Sequence, residues 1–183
     1  SETKKEDAMT TSSSYVNGTE GVLIYRGYDI RDLGLNATYE EVVYLLWNDK
    51  LPNAHELDLF KAALQAKRFV PEAVLNIMRA FPRDAQPMAV LRTAVSAMGL
   101  IDRDADNITH DGAREKALLL TAVMPSLVAA WERIRNGKEP IKPRLGLGQA
   151  ANFLAHEASR KTSQYQPVAV VQMKAVKLNS SCP

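Results

Sequence analysis

The run Leu118-Leu119-Leu120-Thr121-Ala122-Val123-Met124-Pro125-Ser126-Leu127-Val128-Ala129-Ala130 sets the architecture. Wound into a helix, it shows apolar side chains nearly all round. Such a helix is buried on several sides or sits at a subunit interface. Its neighbours extend it to about residues 111–136, and Asn136-Gly137 supplies the stop. Pro125 inside it is expected to kink it. Thr121, Pro125 and Ser126 interrupt the most apolar part, Ala117 to Trp131. That part therefore reads as too short and too broken for a membrane span.

Working toward the N-terminus, helix signals recur. Pro87 opens a helix with Met88, Leu91, Val95 and Met98 on one face and Gly99 near its end. Pro71 at the first helical position opens a shorter one through Val74, Leu75, Ile77 and Met78, closed by Phe81-Pro82. Asn53 is a candidate cap for a helix carrying Leu57, Phe60 and Leu64. Thr38 with Glu41 three residues on makes a capping box, and Leu51-Pro52 stops that helix. Before it, Tyr15-Val16 and Val22 to Tyr25 are β-friendly runs flanking Asn17-Gly18-Thr19-Glu20-Gly21. These read as a hairpin, whose glycines supply positive-φ positions. Arg26-Gly27 is read as the strand's end.

Toward the C-terminus, Pro140 and Pro143 form a stiff connector, and a further helix starts near Gln149. Residues 166–177 hold Val168, Val170, Val171, Met173 and Val176, a strand candidate with nothing after it to pair with. The chain thus divides into a flexible N-terminus (1–14), a helical region (15–155) and a divergent tail (156–183). The class is mainly α with a small N-terminal β-hairpin.

Composition narrows the function. Of 183 residues, 46% are hydrophobic and 24% charged, which excludes a wholly disordered chain. Lys plus Arg is 23 and Asp plus Glu is 21, so no strong field draws nucleic acid or anionic membrane. A single cysteine, Cys182, excludes an intramolecular disulfide and a multi-cysteine zinc site. Ser1 to Ser14 has no apolar core and reads as carrying no secretory signal. A cytoplasmic protein is expected.

No candidate chemistry outweighs its structural explanation. His55, His110 and His156 form no His-x-x-x-His or Glu-x-x-His pair, so surface or capping roles are expected. Gly146-Leu147-Gly148 precedes a helix but lacks the further glycines or Lys-Ser/Thr of a phosphate cradle, and reads as a flexible loop. No Gly-x-Ser-x-Gly elbow occurs. Glu40-Glu41 and the run Asp102-Arg103-Asp104-Ala105-Asp106 invite an acid/base or Ca²⁺ reading. In the second, Asn107 takes the glycine position of a calcium loop, so a solvated loop is expected. Cys182 has no adjacent basic group to activate it. Arg160-Lys161, Lys174 and Lys177 make the tail basic, for which solubility is a sufficient account. Sequons at Asn17, Asn36, Asn107 and Asn179 carry no weight without secretion. No catalytic, cofactor-binding or metal-ligating residue is assigned.

Several runs together resemble the N-terminal part of the citrate synthases. They are Ser14 to Ile30, including Tyr25-Arg26-Gly27-Tyr28; Tyr39 to Trp47 with Lys50-Leu51-Pro52; and Pro87 to Ser96. Asn136 to Ile141 and Ala151-Asn152-Phe153-Leu154 follow in the same order. The resemblance covers about residues 14–155. It implies an incomplete, mainly α-helical scaffold of an enzyme family that condenses acetyl-CoA with oxaloacetate to give citrate and CoA. Acetyl-CoA is a substrate there, so no cofactor is implied. It also implies a homodimer through the helices at about 88–99 and 111–136, and Pro125 is similar to a feature of some members. The family's catalytic histidines and aspartate lie in later motifs that do not occur here, and His55, His110 and His156 do not match them. The resemblance therefore implies a fragment, inactive alone. Two relatives of that reading stand beside it, a 2-methylcitrate synthase fragment and a non-enzymatic helical dimerisation protein. Gln86 stands where the family usually has histidine before Pro-Met. The match fades after Leu154, as a truncation or frame shift would make it.

Overall fold

A computed structural model describes residues 9–10 and 13–157, with side chains from Ser13 to Ala155. The elements run β1 (Met9–Thr10), β2 (Ser14–Asn17), β3 (Val22–Tyr25), β4 (Tyr28–Asp29), α1 (Ile30–Asn36), α2 (Tyr39–Asn48), α3 (Ala54–Lys67), α4 (Glu72–Arg79), α5 (Pro87–Ile101), α6 (His110–Arg135) and α7 (Gln149–Glu157). The mainly α class with a small sheet is as the sequence indicated. The described residues fall into two compact units, the first ending at Asp58 and the second starting at Leu59.

In the first unit the hairpin is the middle of an antiparallel meander, β1-β2-β3-β4. Tyr15 faces Ile24, Val16 faces Leu23 and Asn17 faces Val22. Gly21 takes the left-handed position of the loop, at φ +65°. Arg26-Gly27 ends β3 as expected and turns the chain into β4, with Arg26 at φ 48° and Gly27 at φ 84°. Only one other described non-glycine residue has positive φ, Asp49 at φ 62°, where α2 ends. These two residues are ion-paired, Arg26 Nη2 to Asp49 Oδ1 at 2.6 Å. The pair helps hold two unfavourable backbone conformations in place.

Caps explain where the helices begin. Thr38 and Glu41 form the expected box: Glu41 N–H donates to Thr38 Oγ1, and Thr38 N–H to Glu41 Oε2. Asn53 and Glu56 exchange the same two bonds at 2.9 Å each, at the entrance to α3. Asp29 caps α1, a short helix whose sequence lacks apolar periodicity and which the sequence reading missed. Pro71 is the cap residue of α4 rather than its first helical residue.

The second unit is organised around α6. A core cluster joins Val74 and Met78 of α4, Val90, Ala94 and Met98 of α5, and Val123, Leu127 and Trp131 of α6. Phe81 meets Trp131 edge-on, with ring centroids 6.3 Å apart. A second row on α6, Leu118, Ala122, Ser126 and Ala129, is also buried, and α7 packs against the helix. By length and composition α6 is long enough to cross a membrane, so the expectation that its apolar part is too short does not hold. The proline does not end the helix. What it packs against is protein: from Leu118 to Trp131 only Val128 is exposed.

Pro125 has no N–H, so the Thr121 carbonyl one turn earlier loses its helical donor. Gln149, the first residue of α7, fills the gap. Its buried Nε2 donates to Thr121 O at 3.2 Å and Ala122 O at 2.6 Å. The break in one helix is thus the docking point of another. Gln149→Ala is expected to cost about 1–3 kcal/mol, the penalty of buried groups left unpaired. In a Pro125→Ala background the restored N–H serves Thr121 O, and the cost of Gln149→Ala falls by about 1 kcal/mol. Denaturant unfolding of the four proteins measures this coupling; strictly additive costs contradict it.

Candidate functional site

Among the described residues, no catalytic cluster forms from those singled out in the sequence. His55 is exposed in the first turn of α3. His110 is exposed at the start of α6, its Nδ1 3.7 Å from Asp111 Oδ1, too far for a hydrogen bond. His156 falls within α7, but its side chain lies outside the described residues. Arg160, Lys161, Lys174, Lys177, Asn179 and Cys182, and the strand candidate at 166–177, also lie outside them. Among the described residues no group of three or more His, Cys, Asp or Glu side chains is placed to hold a metal ion. Glu40 and Glu41 have separate environments. Glu41 is committed to the capping box, while Glu40 is 4% exposed.

The acidic run from Asp102 to Asp106 is not simply a solvated loop. Asp102 Oδ1 accepts from Asp104 N–H, and Asn107 Nδ2 donates to Asp104 Oδ2, each at 2.9 Å. Asn107 Oδ1 accepts from Thr109 N–H and Oγ1, and Lys116 Nζ donates to the Asn107 carbonyl. Thr109 in turn caps α6 by accepting from Gly112 N–H. The carboxylates of Asp102 and Asp104 thus help build the entrance to α6, while residues 103–106 are exposed. Gly112 is buried against this knot: a Cβ there would lie 2.6 Å from Asn107 Cγ.

The Gly146-Leu147-Gly148 segment, read as flexible, is tied at both its polar ends. Gly146, at φ +86°, donates its N–H to Gln65 Oε1. The Leu147 carbonyl accepts from Arg68 Nη1 at 3.0 Å. Arg68 is 1% exposed, one of the largest fully buried side chains, and nothing in its sequence context singles it out. Asn152 Oδ1 receives Arg144 N–H at 2.8 Å, closing the turn into α7. The loop therefore positions α7 rather than opening a phosphate site.

A cleft of about 360 Å³ lies between α4, α6 and the proline connector. Val70, Leu75, Ala130 and Ile141 line it, with Ser126 from α6. At its edge Arg79 bridges Glu72 at 2.7 Å and Glu139 at 2.9 Å. Bonds from these two carboxylates hold the guanidinium pKa above its ordinary value. Both carboxylates are well exposed, so the bridges fasten the connector without adding much stability. The lining holds no histidine, cysteine or aspartate.

The sequence pattern described as "Citrate synthase, C-terminal domain" matches residues 3–176, nearly the whole chain. The chain belongs to the citrate synthase family. The match reaches beyond both ends of the 14–155 resemblance. "Citrate synthase 2" of Bacillus subtilis is 43% identical over 150 residues, which is 81% of this chain and 40% of that protein. A 2-methylcitrate synthase of Mycobacterium tuberculosis is 41% identical over 145 residues, 79% of this chain and 36% of its own. Citrate synthase of Thermoplasma acidophilum, solved as a ternary complex with carboxymethyl coenzyme A and oxaloacetate, superposes with a TM-score of 0.76. It is 26% identical, over 87% of this chain and 42% of that one. The chain thus spans about 40% of the length of the citrate synthases it matches.

Within that scaffold the glycines of α5 and α6 have opposite roles. Gly99 of α5 has open space where a Cβ would stand, whereas Gly112 has none. Gly99→Ala is expected to stabilise by about 0.5–1 kcal/mol through helix propensity. Gly112→Ala is expected to destabilise by about 1–3 kcal/mol through overpacking. Thermal melts of the two variants check this; equal shifts in the same direction contradict it.

Proposed function

We propose that this chain is part of the helical scaffold of an enzyme that condenses an acyl-coenzyme A thioester with a 2-oxo acid, in its simplest form acetyl-CoA with oxaloacetate. The observation that carries the reading is the match across nearly the whole chain to the family pattern, at 43% identity to a citrate synthase. The thioester is a substrate, and the chain supplies no cofactor of its own. A propionyl-CoA reaction is the second reading, favoured by the similarly close 2-methylcitrate synthase. Abstracting a proton from a thioester methyl group requires a base within hydrogen-bond reach of it. Among the described residues His55 and His110 are exposed. The chain by itself is therefore read as inactive.

A homodimer in the cytoplasm completes this proposal. The face of α5 carrying Met88, Arg92, Ser96 and Leu100 is open to solvent, with Leu100 at 86% exposure. The other helix of the expected interface, α6, contributes less, because its apolar sides are mostly taken up inside the chain. A non-enzymatic dimerisation protein would share this face. The test is a thiol-release assay with acetyl-CoA or propionyl-CoA plus oxaloacetate, on a sample whose mass is checked by sedimentation. A dimer with no turnover above background is expected of this chain alone. Appreciable turnover with either thioester overturns the inactive reading, and a monomer overturns the dimer.

A further inference from the structure

The chain contains two Asn-Gly pairs, Asn17-Gly18 and Asn136-Gly137. At such a pair the backbone nitrogen of the glycine, unhindered by a side chain, can attack the asparagine amide carbon. The two pairs are held differently. Gly137, at φ +71°, donates its N–H to the Ile134 carbonyl at 2.9 Å in the closing turn of α6. Asn136 Nδ2 donates to Glu132 O at 2.7 Å and Glu132 Oε1 at 2.9 Å. The attacking nitrogen is engaged there, and the amide is held back along the helix.

The hairpin loop also holds its asparagine amide, with Asn17 Nδ2 donating to Tyr15 Oη at 3.3 Å and to Glu20 Oε2 at 3.1 Å, and it differs at the carbonyl oxygen and the attacking nitrogen. Asn17 Oδ1 accepts from the backbone N–H groups of Thr19 at 3.1 Å and Glu20 at 3.2 Å. Two fixed donors thus already point at the oxygen that gains negative charge when the amide carbon is attacked, as in an oxyanion hole. Gly18 N–H has no hydrogen-bond partner among the described residues. Gly18 is exposed, so hydroxide can reach its N–H.

We propose that Asn17 is a site of spontaneous intramolecular deamidation and that Asn136 is protected from it. Hydroxide removes the Gly18 amide proton, and the nitrogen attacks Asn17 Cγ. The oxyanion forms on Oδ1, held by Thr19 and Glu20. Its collapse breaks the Cγ–Nδ2 bond. Nδ2 takes a proton from water and leaves as ammonia, and a succinimide closes between positions 17 and 18. Water then opens the ring at either carbonyl, giving an aspartyl or an isoaspartyl linkage. The isoaspartyl form adds a backbone carbon to the loop joining β2 and β3, and both products add a negative charge beside Glu20. Hairpin register depends on loop length, so the isoaspartyl product changes this end of the sheet.

The test is peptide mapping by mass, with isoaspartyl labelling, after incubating the full chain in mildly alkaline buffer. In the folded chain, position 17 should convert about tenfold faster than position 136, a ratio equivalent to about 1.4 kcal/mol in barrier. In denaturing urea the two identical dipeptides should convert at similar rates. Gly18→Ala should slow conversion at position 17 while leaving helicity unchanged. Equal or reversed rates in a chain that retains its helical circular dichroism would overturn the proposal. So would an unmodified position 17 under conditions where the denatured chain reacts.

Discussion

A helix that is apolar nearly all round needs protein around most of it, and α6 finds cover within its own chain against α4, α5 and α7, with Val128 left exposed. Cluster residues from α4 and α5 cover the face that carries Val123, Leu127 and Trp131. The docking of α7 depends on the proline that breaks the hydrogen-bond ladder. Fully burying one Leu or Val side chain stabilises by about 1.5–3 kcal/mol. The burial of this helix therefore outweighs any single cap or surface ion pair described here. The capping knot around Asn107, the anchored loop before α7 and the connector fastened by Arg79 all serve to start, flank or finish α6.

Local signals were legible in the sequence because they act over a few residues. Thr38 with Glu41 needs only spacing to be recognised and Asn53 only its residue type, and both cap as expected. The Asn-Gly stop of α6 and the hairpin of β2 and β3 are of the same kind. Signals joining distant residues were not legible. Pro125 announces a defect, but nothing in the sequence says that Gln149 repairs it. Arg68 gives no sign of burial, since arginine is almost never fully buried without a partner. The acidic run from Asp102 was discounted as a metal loop, yet its use as a helix entrance depends on Asn107 and Gly112 meeting in space.

The functional reading has the same division. Family membership rests on the residues themselves and covers nearly the whole chain. Chemistry rests on groups brought together in space, and the described residues bring together helix ends and core instead. Gln86 illustrates the difference. It caps α5 by accepting from Ala89 N–H at 3.2 Å, so its role in the described residues is structural.

Native-state hydrogen exchange resolved along α6 tests the central claim most directly. If α6 is buried by its own chain, the amides from about Leu118 to Trp131 exchange slowest. Their protection then approaches the global unfolding free energy and does not change with protein concentration. Fast exchange there, or protection that appears only as concentration rises, would show that α6 depends on a second chain for its burial.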